Sequence, residues 1–176
     1  MLRGVLLGAL GLLLVLLARE VVRDLTRHRR ARALSRIRTA FLHGMALAAP
    51  KQGATSEIIW AGLRLEFPST WNVSTQNGRL ECRFPLEGAP TVTALTGGGS
   101  AAPDASVEYL SDGRRLSRWV EECTTRGRVA FLWWVEAEQR SWTFRAEIDL
   151  AVVDEVTTQA DIARLDQVIR SLTVQA

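Results

Sequence analysis

Residues able to carry chemistry are sparse in this chain, and their positions argue against catalysis. The two histidines, His28 and His43, both fall in an arginine-rich N-terminal stretch. The rest of the chain therefore lacks an imidazole base and the usual nitrogen ligands of a zinc site. Cys82 sits between Leu80 and Phe84 in an alternating run, and Cys123 keeps helical spacing with Leu116, Trp119 and Val120. Both read as small buried hydrophobes, and a disulfide is not expected in a reducing setting. Glu121 with Glu122, and Asp154 with Glu155, are adjacent acids whose side chains diverge, so neither pair suits acid–base work. Gly97 to Ser100 reads GGGS but lacks the Lys-Ser/Thr that a phosphate loop requires, and is taken as a flexible loop. Asn72-Val73-Ser74 matches a glycosylation triplet and is read as a chance match. We therefore expect a non-catalytic protein with no catalytic residue, no cofactor and no metal.

The arginines are the stronger signal. Gly4 to Ala18 is an uninterrupted apolar run, followed by Arg19, Arg23, Arg27, Arg29, Arg30, Arg32, Arg36 and Arg38 against only Glu20 and Asp24. Fifteen residues rise roughly 22 Å as a helix, short for a hydrocarbon layer of roughly 30 Å, although Leu2, Val21 and Val22 extend the run. A cleaved signal peptide competes with this reading, but no small-x-small cleavage site closes the run. Residues 2–22 are expected to form a transmembrane anchor of a single-pass inner-membrane protein, with 23–45 a basic juxtamembrane helix. The positive-inside rule places the globular part in the cytoplasm and the N-terminus outside. Arg27, Arg29, Arg30, Arg32 and Arg36 are the candidate contacts to anionic lipid headgroups or to the acidic rim of a partner. Gly4, Gly8 and Gly11 are candidates for close helix packing in lipid.

Position and packing of the remaining elements follow from periodicity. The formal charge is +3 overall while the basic stretch carries more, so the remainder is slightly acidic and no nucleic acid partner is expected. Residues 46–56 are small, polar and Pro/Gly-bearing, as a linker would be. From Glu57 onward, EIIW and LRLEF flank Ala61-Gly62, and WNVST and RLECRF flank Asn77-Gly78, two hairpin patterns. TVTAL and VEYL read as further strands. Leu116, Trp119, Val120 and Cys123 predict a helix capped near Ser111 or Asp112. RVAFLWWVEA, apolar at nearly every position, predicts a strand buried on both faces, and SWTFRAEIDL alternates like one with a wet face. Thr158 and Asp161 suggest a capping box for a closing helix with Ile162, Leu165, Val168, Ile169 and Leu172 on its apolar stripe. The order implies an α+β fold, an antiparallel β-sheet covered by helices. Trp133 and Trp134 are consecutive, so one must point away from the main core, and Leu132 and Trp134 become the candidate partner surface.

The stretch LRLEFPSTWNVS resembles the F-P-x-x-W-x-V entry of PsbP-like domains, and LDQVIRSLTV resembles their last helix and strand. The resemblance covers about residues 57–174 and implies a PsbP-like α/β/α sandwich over 57–176. It also implies accessory and binding roles rather than chemistry. The expected function is an accessory or stabilising subunit of an integral membrane protein complex, photosynthetic or respiratory. The alternative is a membrane-tethered chaperone that shields hydrophobic helices on an open sheet face.

Overall fold

The structure is a computed structural model. It describes the backbone of residues 2–44, 53–84, 91–97, 100–123, 127–151 and 155–175, and their side chains except those of 2–11, 123 and 155. A long helix, α1 (Leu2–Leu42), is followed by nine strands: β1 (Thr55–Trp60), β2 (Leu63–Pro68), β3 (Asn72–Gln76), β4 (Arg79–Arg83), β5 (Thr91–Thr96), β6 (Ser106–Tyr109), β7 (Arg115–Cys123), β8 (Arg128–Ala137) and β9 (Arg140–Asp149). Helix α2 (Glu155–Ser171) and the short strand β10 (Thr173–Val174) close the chain. The strands form two antiparallel sheets, one of order β1-β2-β10 and one of seven strands in the order β3-β4-β5-β9-β8-β7-β6. The fold is thus a mostly antiparallel β-sandwich with two helices.

Local chemistry explains most of the elements. Asn77 and Gly78 both take positive φ, 51° and 74°, which is the backbone that a two-residue hairpin between right-twisted strands requires. β9 alternates as expected, with Trp142, Phe144, Ala146 and Ile148 buried on one face. β8 is buried at all positions from Val129 to Val135, because both of its faces are covered. Its first face, with Phe131, Trp133 and Val135, joins Leu63, Leu65 and Phe67 of β2 and Ile162, Leu165 and Ile169 of α2 in the main core. On the second face Trp119, Ala130, Leu132 and Trp134 form a smaller cluster beneath Ala101, Ala102 and Ala105.

Three expectations are corrected here. The helix expected at residues 112–123 is strand β7, paired along its length with β8. Leu116 and Trp119 are three apart, and the strand sends them to opposite faces. The expected capping box also fails, because α2 begins at Glu155 and so encloses Thr158 and Asp161, both buried. The PsbP-like α/β/α arrangement is not observed either. Both helices and the small sheet share the first face of the seven-stranded sheet, and among the described residues the second face is covered by a loop.

The expected anchor is a fourth correction. Among the described residues no helix is long and apolar enough to cross a membrane. The described apolar turns, Leu12 to Ala18, rise only roughly 10 Å before Arg19, Glu20, Arg23 and Asp24 follow. A single-pass inner-membrane placement is therefore not supported. Gly4, Gly8 and Gly11 lie outside the residues whose side chains are described, as does most of the expected linker, while β1 already begins at Thr55.

Candidate functional site, a free basic helix above a buried ion-pair network

Helix α1 joins the body by a short stripe. Ala33, Ile37 and Phe41, spaced by four residues, are buried, and the Phe41 ring stands edge-on to Phe131 (5.2 Å) and Trp133 (4.9 Å). Three and four residues before Ala33, the same face carries Arg30 and Arg29, then Thr26. With no apolar side chain to bury there, the helix parts from the body. Every described residue from Leu12 to Arg32 is exposed, a free length of roughly 31 Å.

The candidate lipid contacts fall on this free length or beside it. Arg27 pairs loosely with Asp24 (3.7 Å) and Arg23 with Glu20 (3.6 Å). Such exposed pairs contribute about 0–1 kcal/mol. Arg29, Arg30 and Arg32, together with Arg19, have no ion-pair partner among the described residues, and Arg36 is exposed beside the docked turns. Arg38 turns back to the body and meets Glu122 at 3.2 Å. Eight arginines against two acids leave residues 19–38 with a net charge of +6.

Beneath the docked turns lies a network that the sequence reading did not find. Arg118, 1% exposed, projects from β7 into the first face and donates to Asp166 of α2 and Glu108 of β6, both at 2.8 Å. Arg170 grips both Glu108 oxygens at 2.8 Å and reaches Asp166 at 2.6 Å, while the Trp133 indole donates to Asp166 at 2.9 Å. The hydrogen bond from Arg170, helped by Arg118, pulls the Glu108 carboxyl down to about 2. The Arg170 guanidinium is in turn raised, first through its bond to Glu108. Gly44, at φ +61°, crosses directly above: a Cβ there would lie 3.3 Å from Arg118 Nη1 and 3.4 Å from Glu108 Oε2. A buried cation demands such complete pairing, so the network reads as structural.

The other candidates disperse. Glu121 points to the second face, accepting from Arg145 (2.7 Å) and the Trp119 indole (3.1 Å), whereas Glu122 meets α1. His28 is exposed on the free helix, and a His43 ring N–H donates to the Thr39 carbonyl at 2.8 Å. Cys82 is buried, and burial pushes its thiol up to about 12. Asp154 and the side chains of Cys123 and Glu155 lie outside the described residues. Leu132 and Trp134 are only 4% and 8% exposed, with the Arg115 guanidinium 5.5 Å above the Trp134 ring. The open apolar surface expected there is closed within the chain itself.

No family model matches the chain, and no curated protein matches it. The likeness to PsbP-like domains thus rests on LRLEFPSTWNVS and LDQVIRSLTV alone, and no comparison supports a photosynthetic role. Among solved structures the chain is similar to a crystal structure from Bacteroides thetaiotaomicron, at 13% identity and a TM-score of 0.49, over 72% of this chain. It spans half the length of that structure's chain.

Proposed function

We propose that this is a non-catalytic adaptor that uses the free part of α1 to hold its β-domain against anionic lipid headgroups, as an accessory to an integral membrane protein complex. One observation carries the reading. Arg19, Arg29, Arg30 and Arg32 stand on a helix clear of the body, without acidic partners among the described residues. An arginine near an anionic surface is worth about 1 kcal/mol. The contact is with the headgroup layer and does not require the helix to cross it. The chaperone alternative is weaker, because Leu132 and Trp134 are covered.

Co-sedimentation of the full chain with phosphatidylcholine vesicles, with and without phosphatidylglycerol, tests the reading. Binding should require the anionic lipid and weaken with salt, since the screening length falls from about 10 Å at 0.1 M to about 3 Å at 1 M. Replacing Arg29, Arg30 and Arg32 by Gln should cost about 3 kcal/mol, roughly a hundredfold in affinity. Equal binding to both vesicle types would refute the proposal.

A further inference from the structure

Strand β6 is the outermost strand of the seven-stranded sheet, and among the described residues nothing pairs with its far side. Its register fixes which groups face outward. The Leu110 N–H donates to the Arg114 carbonyl at 2.8 Å, which makes residues 110, 108 and 106 the positions that bond inward to β7. The N–H and C=O of Val107 and Tyr109 therefore point away from the sheet. Their side chains lie on the second face and are 44% and 73% exposed. Glu108, the one charged residue of the strand, is turned to the first face, where Arg118 and Arg170 hold it. Edge strands are ordinarily blunted by an exposed charge, a proline or a bulge; β6 carries none of these and is limited only by its length of four residues. The opposite edge of the same sheet, β3, is polar at every position but Val73.

This edge is complementary to itself. A two-fold axis at Glu108 sets Val107 against Tyr109 of a second copy, and Tyr109 against its Val107, so both outward-bonding positions find partners. Each match is a β-branched side chain opposite an aromatic one, a favourable cross-strand pair. The same axis brings the two Glu108 residues together, a repulsive pair were they bare. Each carboxylate is already gripped by Arg118 and Arg170, so two acids meet among four guanidinium groups. We propose that two copies of this chain associate through β6, antiparallel, into one continuous sheet. The axis runs from face to face of that sheet, so both α1 helices lie on the same side of it. The pairing does not depend on lipid.

Sedimentation of the full chain over a range of concentrations, with amide hydrogen exchange at each, tests it. So short a strand buries far less than the roughly 1,200–2,000 Å² of a stable interface, and the dimer should form only at about 0.1 mM and above. The Val107 and Tyr109 amides should gain protection as the concentration rises, while the Glu108 amide, bonded to β7, stays protected throughout. Tyr109→Lys should weaken association roughly tenfold or more with an unchanged melting curve, because the symmetry counts each lost pair twice. Ile59→Lys, on the edge strand β1 and 60% exposed, is the control and should leave association unchanged. A monomer up to about 1 mM, or a dimer that is indifferent to Tyr109→Lys or weakened by Ile59→Lys, would overturn the proposal. Val107 and Tyr109 amides that exchange alike at every concentration would overturn it too.

Discussion

Truncating Phe41 to alanine should loosen α1 from the body before the body itself unfolds. Ala33, Ile37 and Phe41 are the buried contacts of the helix, with Leu34 and Leu42 packed half-buried beside them and Arg38 paired to Glu122. Full burial contributes about 1.5–3 kcal/mol for each of Ile37 and Phe41, and about 0.8 kcal/mol for the alanine methyl. The two edge-on ring contacts add about 0.5–1.5 kcal/mol each. Phe41 thus supplies a large share of the attachment, and its removal should weaken docking by about 3 kcal/mol. The opened population would then rise roughly a hundredfold. Limited trypsin digestion under conditions where reclosing outpaces cleavage reads that population directly, at the Arg36 and Arg38 bonds inside the docked turns. Leu16→Ala, on the free length, is the control and should change nothing. A rate at Arg36 and Arg38 that differs from the unaltered chain by less than roughly threefold would show that Phe41 does not hold the helix, and the docking argument would fail.

Two further outcomes follow from the titrating groups. Glu108 is held down to about 2 from an ordinary value of 4.5, so its contribution to stability is present above about 4.5 and lost as pH falls toward 2. Glu147, lowered by its hydrogen bond from Arg145, acts in the same direction. Urea midpoints should therefore drop through that window, and Glu108→Gln should flatten the slope; parallel curves for the two proteins would contradict the assignment. Cys82, its thiol pushed up to about 12 by burial, should resist iodoacetamide in the folded chain and react once urea unfolds it. Equal labelling in both states would show that β4 does not pack as described.

Strand alternation and hairpin turns made much of the β-structure readable in advance. β8 was recognisable from its unbroken apolar run and β9 from strict alternation, since a period of two admits few other readings. β7 was not, for a specific reason: Ser117 and Arg118 are polar yet buried, which erases the two-residue rhythm and leaves Leu116, Trp119 and Val120 at helical spacing. Arg118 is buried because Glu108, Asp166 and Arg170 converge on it from β6 and α2, and no local pattern announces a cluster drawn from distant segments. The basic helix was legible from its arginines. Its point of departure from the body was encoded in the change from Ala33 to Arg29 and Arg30, which gains meaning only once the sheet beneath is known. Covering of Leu132 and Trp134 by Ala101, Ala102 and Ala105 was hidden for the opposite reason, because small loop residues give no periodic signal.

The short docked stripe also makes α1 a lever. Its fulcrum is the contact of Ile37 and Phe41 with the body, and its long arm runs roughly 31 Å from Ala33 out to Leu12. A pivot of about 10° at the fulcrum swings the far turns by roughly 5 Å, over the same rise per residue. A shift of about 1 Å where Phe41 meets Trp133, over the roughly 6 Å from Ile37 to Phe41, would therefore appear at the outer leucines as a displacement about the size of one helical turn.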